Sequence, residues 1–343
     1  MINRLVSMLL VIVLAMSLAA CGTSQSSSDD ASPAAESSSD EGASSEESSG
    51  DNGSASADMG TVSNSLAEDE EALVSTYADE FDQLTYEDSA TGLSITYNLY
   101  LPEGYDESQS YPMVVFIADS SCAGRDATSS LTQGRGALVW ATEEWQSTYP
   151  CIVAVPTYPE TILDDHGSYT TTEYVEMTKS YIDYMCEEYA VDTNRIYGTG
   201  QSMGCMTTLI LASEYPDLYT ACMFVDGQWD ISTLSGLEDQ TFVYFAAEDD
   251  SNAWNGAQEV MAMFDKDSVS YDYAQWDGTW SVDELSSAAS ELFTSEEDQY
   301  FISWTTGTIE ASGGMGGSAY HMASFDYAYN GVAVMEWLFQ QSK

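Results

Sequence analysis

Positive charge is scarce: the 343 residues include seven Lys and Arg and two His against 57 Asp and Glu, a formal net charge of -50. A nucleic-acid binder needs a basic face to displace counterions from phosphates, and seven cations in this chain cannot build one. Clamps for anionic substrates are usually made of Arg or Lys, so neutral substrates fit the composition better. The same acidity also serves solubility outside the cell. No CxxC pair and no Cys/His spacing offers a zinc site, so neither a metal nor another cofactor is expected. Leu5–Leu18 is an apolar run too short for the roughly 20 residues of a spanning helix.

What is present begins with processing. Asn3 and Arg4 precede that run, which ends in Leu18-Ala19-Ala20-Cys21-Gly22. This is the form of a signal peptide over residues 1–20, with small residues placed so that Cys21 is lipidated and becomes the mature N-terminus. The protein is thus expected on the extracellular face of the cell membrane, held by its lipid. Residues 21–76 are mostly Ser, Asp, Glu, Ala and Gly with few branched or aromatic side chains, and bury too little apolar surface to offset the entropy of ordering. They read as a disordered stalk extended by charge repulsion. Residues 77–343 suit one domain. With Cys21 assigned to lipid, Cys122, Cys151, Cys186, Cys205 and Cys222 remain, an odd number that leaves at least one thiol without a partner in the chain.

Strand and helix patterns alternate through that domain. Strands are expected at Leu93–Leu101, Met113–Ala118, Cys151–Val155, Arg195–Tyr197, Thr220–Val225, Thr241–Ala246 and Val269–Trp276. Helices are expected at Ala137–Tyr149, Thr171–Tyr189, Met203–Glu214, Gly256–Phe264, Val282–Phe293 and Phe325–Gln340. Repeated strand-helix units argue for an α/β fold, a doubly wound, mostly parallel sheet with helices on both faces.

The chemistry concentrates at Gly200-Gln201-Ser202-Met203-Gly204. It follows an apolar strand and opens a helix, the setting in which α/β-hydrolases expose a nucleophilic serine on a sharp turn. A serine hydroxyl needs an adjacent base, normally a histidine oriented by a carboxylate. In the chain order serine, acid, histidine, only His321 follows Ser202; it lies beyond Gly313-Gly314-Met315-Gly316-Gly317 and is expected in that loop, ahead of the final helix. His166, in a polar loop before the nucleophile, reads as solvent-facing. For the acid, Glu248-Asp249-Asp250 ends an apolar strand at the carboxyl edge of the sheet, where ligands bind in such folds. Asp250 is the first candidate, Asp249 the second and Asp226, after the preceding strand, the third. The oxyanion hole should use the backbone N–H of Met203 and one from the loop Ala118-Asp119-Ser120, at Asp119 or Ser120.

The run Arg195–Gly204 followed by Tyr215-Pro216-Asp217-Leu218-Tyr219 resembles bacterial esterases related to feruloyl esterases and polyhydroxybutyrate depolymerases, often labelled prolyl-oligopeptidase-like. Further matches are Leu101–Tyr105, Leu131-Thr132-Gln133-Gly134, Gln228-Trp229-Asp230, Trp276-Asp277-Gly278 and the end from His321 to Phe339. The resemblance implies an α/β-hydrolase fold from about Thr85 onward and carries Ser202, Asp250 and His321 over as the triad. Two departures bear on the substrate: Ala118-Asp119-Ser120 stands where that family commonly has His followed by Gly or Asp, and Gly204-Cys205 where many members have Gly-Gly. The expected activity is hydrolysis of neutral or glycan-linked carboxylic esters through an acyl-enzyme. The alternatives are a serine peptidase of prolyl-oligopeptidase type, or a non-catalytic surface lipoprotein binding glycans through Trp229, Trp254, Trp276 or Trp280.

Overall fold

The computed structural model describes residues 70–311 and 317–343. Cys21, the expected signal peptide and the stalk as far as residue 69 lie outside them. No helix among the described residues is long and apolar enough to cross a membrane.

The chain enters through α1 (Glu70–Tyr77), which corrects the expected stalk boundary at residue 76. Leu73 decides the matter: it is buried in the core, and burying a Leu side chain is worth about 1.5–3 kcal/mol, enough to hold a two-turn helix that would not form alone. Two antiparallel strands follow, β1 (Asp82–Glu87) and β2 (Ser94–Tyr100), with β1 on the sheet edge. β3 (Tyr111–Ile117) is buried along almost its whole length, as a strand covered on both faces must be. The segment expected as one helix over Ala137–Tyr149 is instead a 3-10 turn, Leu138–Ala141, and α2 (Glu143–Thr148), because extended Thr142 stops the first and caps the second by accepting from the Trp145 N–H.

Next come β4 (Ile152–Thr157), a small hairpin of β5 (Leu163–Asp164) and β6 (Thr170–Thr171), α3 (Glu173–Glu188) and β7 (Val191–Gln201). They are followed by α4 (Met203–Glu214), β8 (Ala221–Val225), β9 (Phe242–Ala247), α5 (Ser251–Asp267), β10 (Asp272–Trp276) and α6 (Val282–Leu292). β11 (Gln299–Trp304), not expected from sequence, inserts between β9 and β10. Its six residues are all buried, so they show no period-2 alternation by which to recognise a strand.

Among the described residues the main sheet runs β1-β2-β4-β3-β7-β8-β9-β11-β10, antiparallel at β1/β2 and β2/β4 and parallel elsewhere. One core lies on each face. The first gathers α1, α2, α6 and the C-terminal helices; the second gathers α3, α4 and α5. Trp229 and Trp276 are buried in these cores, which removes both as glycan platforms.

The final helix also differs from expectation. The stretch Phe325–Gln340 is divided at Asn330-Gly331 into α7 (Gly317–Ala328) and α8 (Val332–Gln340). α7 starts eight residues before Phe325 and takes His321 out of the expected loop and onto a helix.

Candidate active site

Ser202 stands between β7 and α4 in a backbone conformation, φ 52° and ψ −114°, that a non-glycine residue adopts only when its surroundings impose it. The imposition is visible on both sides. Its N–H donates to the Val225 carbonyl at 3.1 Å, and the chain reverses so tightly that a Cβ at Gly204 would meet the Ile117 carbonyl oxygen at 1.8 Å. This close approach explains the second glycine of the motif. Cys205, where a glycine was the familiar residue, is fully buried against Gly227 and does not enter the cavity lining.

His321 comes from α7, and its Nε2 lies 2.8 Å from Ser202 Oγ. Its Nδ1 lies 2.5 Å from Asp250 Oδ2. Phe325, one turn along, meets the imidazole edge-on at 5.0 Å, and Asp326 ties α7 to the loop before Leu138 by accepting from the Arg135 N–H at 2.7 Å. Burial works against the imidazolium. The bond to Asp250 and the charges of Asp250, Asp226 and Asp119 outweigh it, so the pKa is raised above its ordinary 6.5.

The three consecutive carboxylates after β9 go to different partners. Glu248 accepts from Ser303 Oγ, Gln275 Nε2 and the Thr306 N–H. Asp249 accepts from the Gly307 N–H at 2.6 Å, so both of these residues fasten the turn after β11. Asp250 alone reaches His321, while its other oxygen accepts from the Asn252 N–H at 3.1 Å and caps α5. That cap also lets α5 begin at Ser251, five residues before the expected start. Asp226 is fully buried at the end of β8, with one oxygen accepting from the Ala247 N–H at 2.8 Å.

The two loop donors separate as well. The Asp119 N–H donates to Gln133 Oε1 at 3.1 Å and is thereby engaged, a correction to the expectation that it faces the oxyanion. The Asp119 carboxylate accepts from the Ser121 N–H at 2.6 Å and shapes the turn that presents Ser120. Ser120 lines the cavity together with Met203. Met203 opens α4, so its N–H has no intrahelical acceptor. Gln133 is a site residue that sequence reasoning missed as such: it also accepts from Gln201 Nε2 at 2.8 Å and donates to Ser121 Oγ at 2.9 Å, linking the Ser202 turn to the Asp119 loop. The only signal for it was its place in Leu131-Thr132-Gln133-Gly134.

These groups open into a cavity of about 820 Å³. Its far wall is the β5/β6 hairpin with His166, whose Nδ1 lies 2.8 Å from Asp165 Oδ1; His166 is solvent-exposed and still borders the same cavity as Ser202. Asp165 in turn accepts from Gln228 Nε2 at 2.5 Å. Asp164, Asp165 and His166 are the one group among the described residues whose ligand atoms come within 4.8 Å of one another as a metal site would need. No Lys or Arg is among the described residues that border the cavity. All five described cysteines are free thiols.

A parallel sheet, a strained serine between strand and helix, and an imidazole between that hydroxyl and a carboxylate are the features of an α/β-hydrolase with serine-hydrolase geometry. The chain belongs to the Esterase family: the family model, described as "Putative esterase", matches residues 89–299, more than half of the chain. That segment contains Ser202 and Asp250 and ends before His321. Among solved structures, a thermostable esterase is 26% identical with a TM-score of 0.61, over 78% of this chain and 64% of its own. The chain therefore spans less than two thirds of that relative. A mutant of the feruloyl esterase module from Clostridium thermocellum, complexed with sinapinate, shares the fold at 13% identity and a TM-score of 0.50, over 74% of this chain and 86% of its own. No curated protein matches the sequence.

Proposed function

We propose that this protein is a cell-surface, lipid-anchored serine carboxylesterase that hydrolyses neutral or glycan-linked esters through Ser202, His321 and Asp250. The observation that carries the reading is the row of contacts Ser202 Oγ to His321 Nε2 at 2.8 Å and His321 Nδ1 to Asp250 Oδ2 at 2.5 Å. Asp250 keeps the proton of the neutral imidazole on Nδ1, leaving the Nε2 lone pair facing the hydroxyl. As Ser202 Oγ attacks the ester carbonyl carbon, its proton passes to Nε2, and Asp250 stabilises the imidazolium. The carbonyl oxygen becomes an oxyanion and accepts from the N–H groups of Met203 and Ser120. Collapse breaks the bond to the alcohol oxygen, which takes the proton from Nε2 and leaves. Water repeats the sequence on the acyl-enzyme, releasing the carboxylic acid and restoring Ser202.

The cavity wall supports the substrate class. Hydroxyl and amide side chains from Thr161, Thr170, Thr172, Gln228 and Asn252 can bond to a polar alcohol, whereas Asp164 and Asp165 repel an anion. Cys21 supports the anchor by its place after Leu18-Ala19-Ala20.

The test is covalent. A fluorophosphonate probe should label the wild type and leave Ser202→Ala unlabelled, with ester turnover lower by roughly 10⁴-fold or more in the variant. Labelling that persists in Ser202→Ala sinks the assignment of the nucleophile. A panel of aryl esters, feruloylated sugars and short peptides then separates esterase from peptidase.

A further inference from the structure

Asp226 is a buried acid with no place in the steps above. It follows β8 in a left-handed conformation, φ 44°, unusual for a residue with a side chain. Its N–H donates to the Phe245 carbonyl at 3.0 Å and its Oδ1 accepts from the Ala247 N–H at 2.8 Å, so two backbone bonds hold it against β9. Its Oδ2 is buried and has no hydrogen-bond partner. Leaving a carboxylate oxygen in that state costs far more than leaving a neutral one, and a group so placed at the end of a strand calls for an explanation.

Its surroundings supply one. From α7, the His321 imidazole and the Ser324 hydroxyl act on it, and from the turn after β9 the Asp250 carboxylate does. From α4 it faces the Cys205 thiol and from β9 the Tyr244 phenol, both neutral because burial pushes their pKa values well up. Ser324 links the two titrating partners physically, since its hydroxyl donates to the His321 carbonyl at 2.9 Å. An ionised Asp226 would instead draw the Ser324 proton to itself and release the His321 carbonyl.

We propose that Asp226 is a positioning residue for His321, a second buried carboxyl that, through its charge and through Ser324, sets how firmly the imidazole holds its proton. Burial and the neighbouring Asp250 charge push the Asp226 pKa up to about 7, against the pull of Ser324, the Ala247 N–H and His321. The charge of each group therefore bears on the protonation of the other. Ionised Asp226 favours the imidazolium; protonated Asp226 does not.

The sequence makes the test clean, because selective ¹⁵N-histidine labelling of the full chain leaves only His166 and His321 to follow. In Asp226→Asn, which keeps an oxygen for the Ala247 N–H, the His321 titration midpoint should fall by about one pH unit, the low end of what a neighbouring opposite charge produces. The His166 resonances serve as the internal reference. Where ester turnover is measured, the acid limb of kcat/KM should move down by the same amount, a displacement that loss of packing alone does not produce. An Asp226→Asn variant in which His321 titrates as in the wild type overturns the proposal. Should that variant fail to fold, Ser324→Ala decides on the same readout: without the hydroxyl Asp226 ionises at higher pH, and the His321 midpoint should fall by a smaller amount, no change again overturning the idea. The catalytic meaning rests on His321 being the base, but the titration reads Asp226 and His321 without substrate, so failure of the esterase reading leaves this result standing.

Discussion

Gly204→Ala puts the geometry of the nucleophile turn to a quantitative test. The added Cβ would stand 1.8 Å from the Ile117 carbonyl oxygen and 2.5 Å from its carbon, where real Cβ contacts essentially never fall below 3.0 Å. The gap must open by about 1.2 Å. Neither side is a flexible side chain: Ile117 ends β3 and is paired with Gly200 of β7, and Gly204 lies in the first turn of α4. One side carries Ser202 and Met203 and the other leads into Asp119 and Ser120, so relief of the clash separates the proposed nucleophile from a proposed oxyanion donor. Overpacking of a tight interior costs roughly 1–3 kcal/mol, and with backbone on both sides the upper end applies. For a domain of this size that is a fall in Tm of about 5 °C. A displacement near 1 Å at a reacting constellation can cost about 100-fold in rate. Circular dichroism melting and the second-order rate of fluorophosphonate labelling measure the two effects. Gly331→Ala is the control, since its nearest contact is an ordinary 3.4 Å and it should change stability by less than about 1 kcal/mol. Wild-type Tm and labelling rate in Gly204→Ala would refute the steric account of the turn.

Further expectations concern the acid, the base and the anchor. Asp250→Asn should lower kcat by about 10³–10⁴-fold with the fold retained, as loss of the tautomer-fixing carboxylate does; Asp249→Asn should keep most activity and, because its amide oxygen still accepts from the Gly307 N–H, change stability by less than about 1 kcal/mol. If activity collapses in Asp249→Asn and survives in Asp250→Asn, the assignment moves back one residue. In the proposed mechanism His321 must be neutral to accept the Ser202 proton; with its pKa raised, kcat/KM should fall on acidification with a midpoint above 6.5, and a limb centred below 6 contradicts the charge environment described. Cys21→Ser should release the exported protein from membranes into the soluble fraction, and a processed variant that still sediments with membranes would show that lipid is not the anchor.

Sequence by itself determined the parts of this protein that depend on neighbours in the chain. Gly200-Gln201-Ser202-Met203-Gly204 between an apolar strand and a helix is a local steric unit, legible because only glycine tolerates the close approach at 204. His321 followed from scarcity, since one histidine lies after Ser202. The alternation of strand and helix gave the parallel sheet, because buried runs and 3.6-residue periods are local too. Tertiary structure decided the rest. Glu248, Asp249 and Asp250 carry the same chemistry at adjacent positions, and each acquires a different role only from what the pleat and turn place opposite it: Ser303 and Thr306, Gly307, or His321 from 71 residues away. The Asp119 and Ser120 amides were equivalent in sequence until Gln133 took one of them. β11 and the early start of α7 were hidden because wholly buried or glycine-led segments lose the periodic contrast between wet and dry faces on which a sequence reading depends. The charge felt by His321 is likewise a tertiary quantity: Asp119, Asp226 and Asp250 lie on three different strand ends, and only the parallel sheet brings all three to one edge.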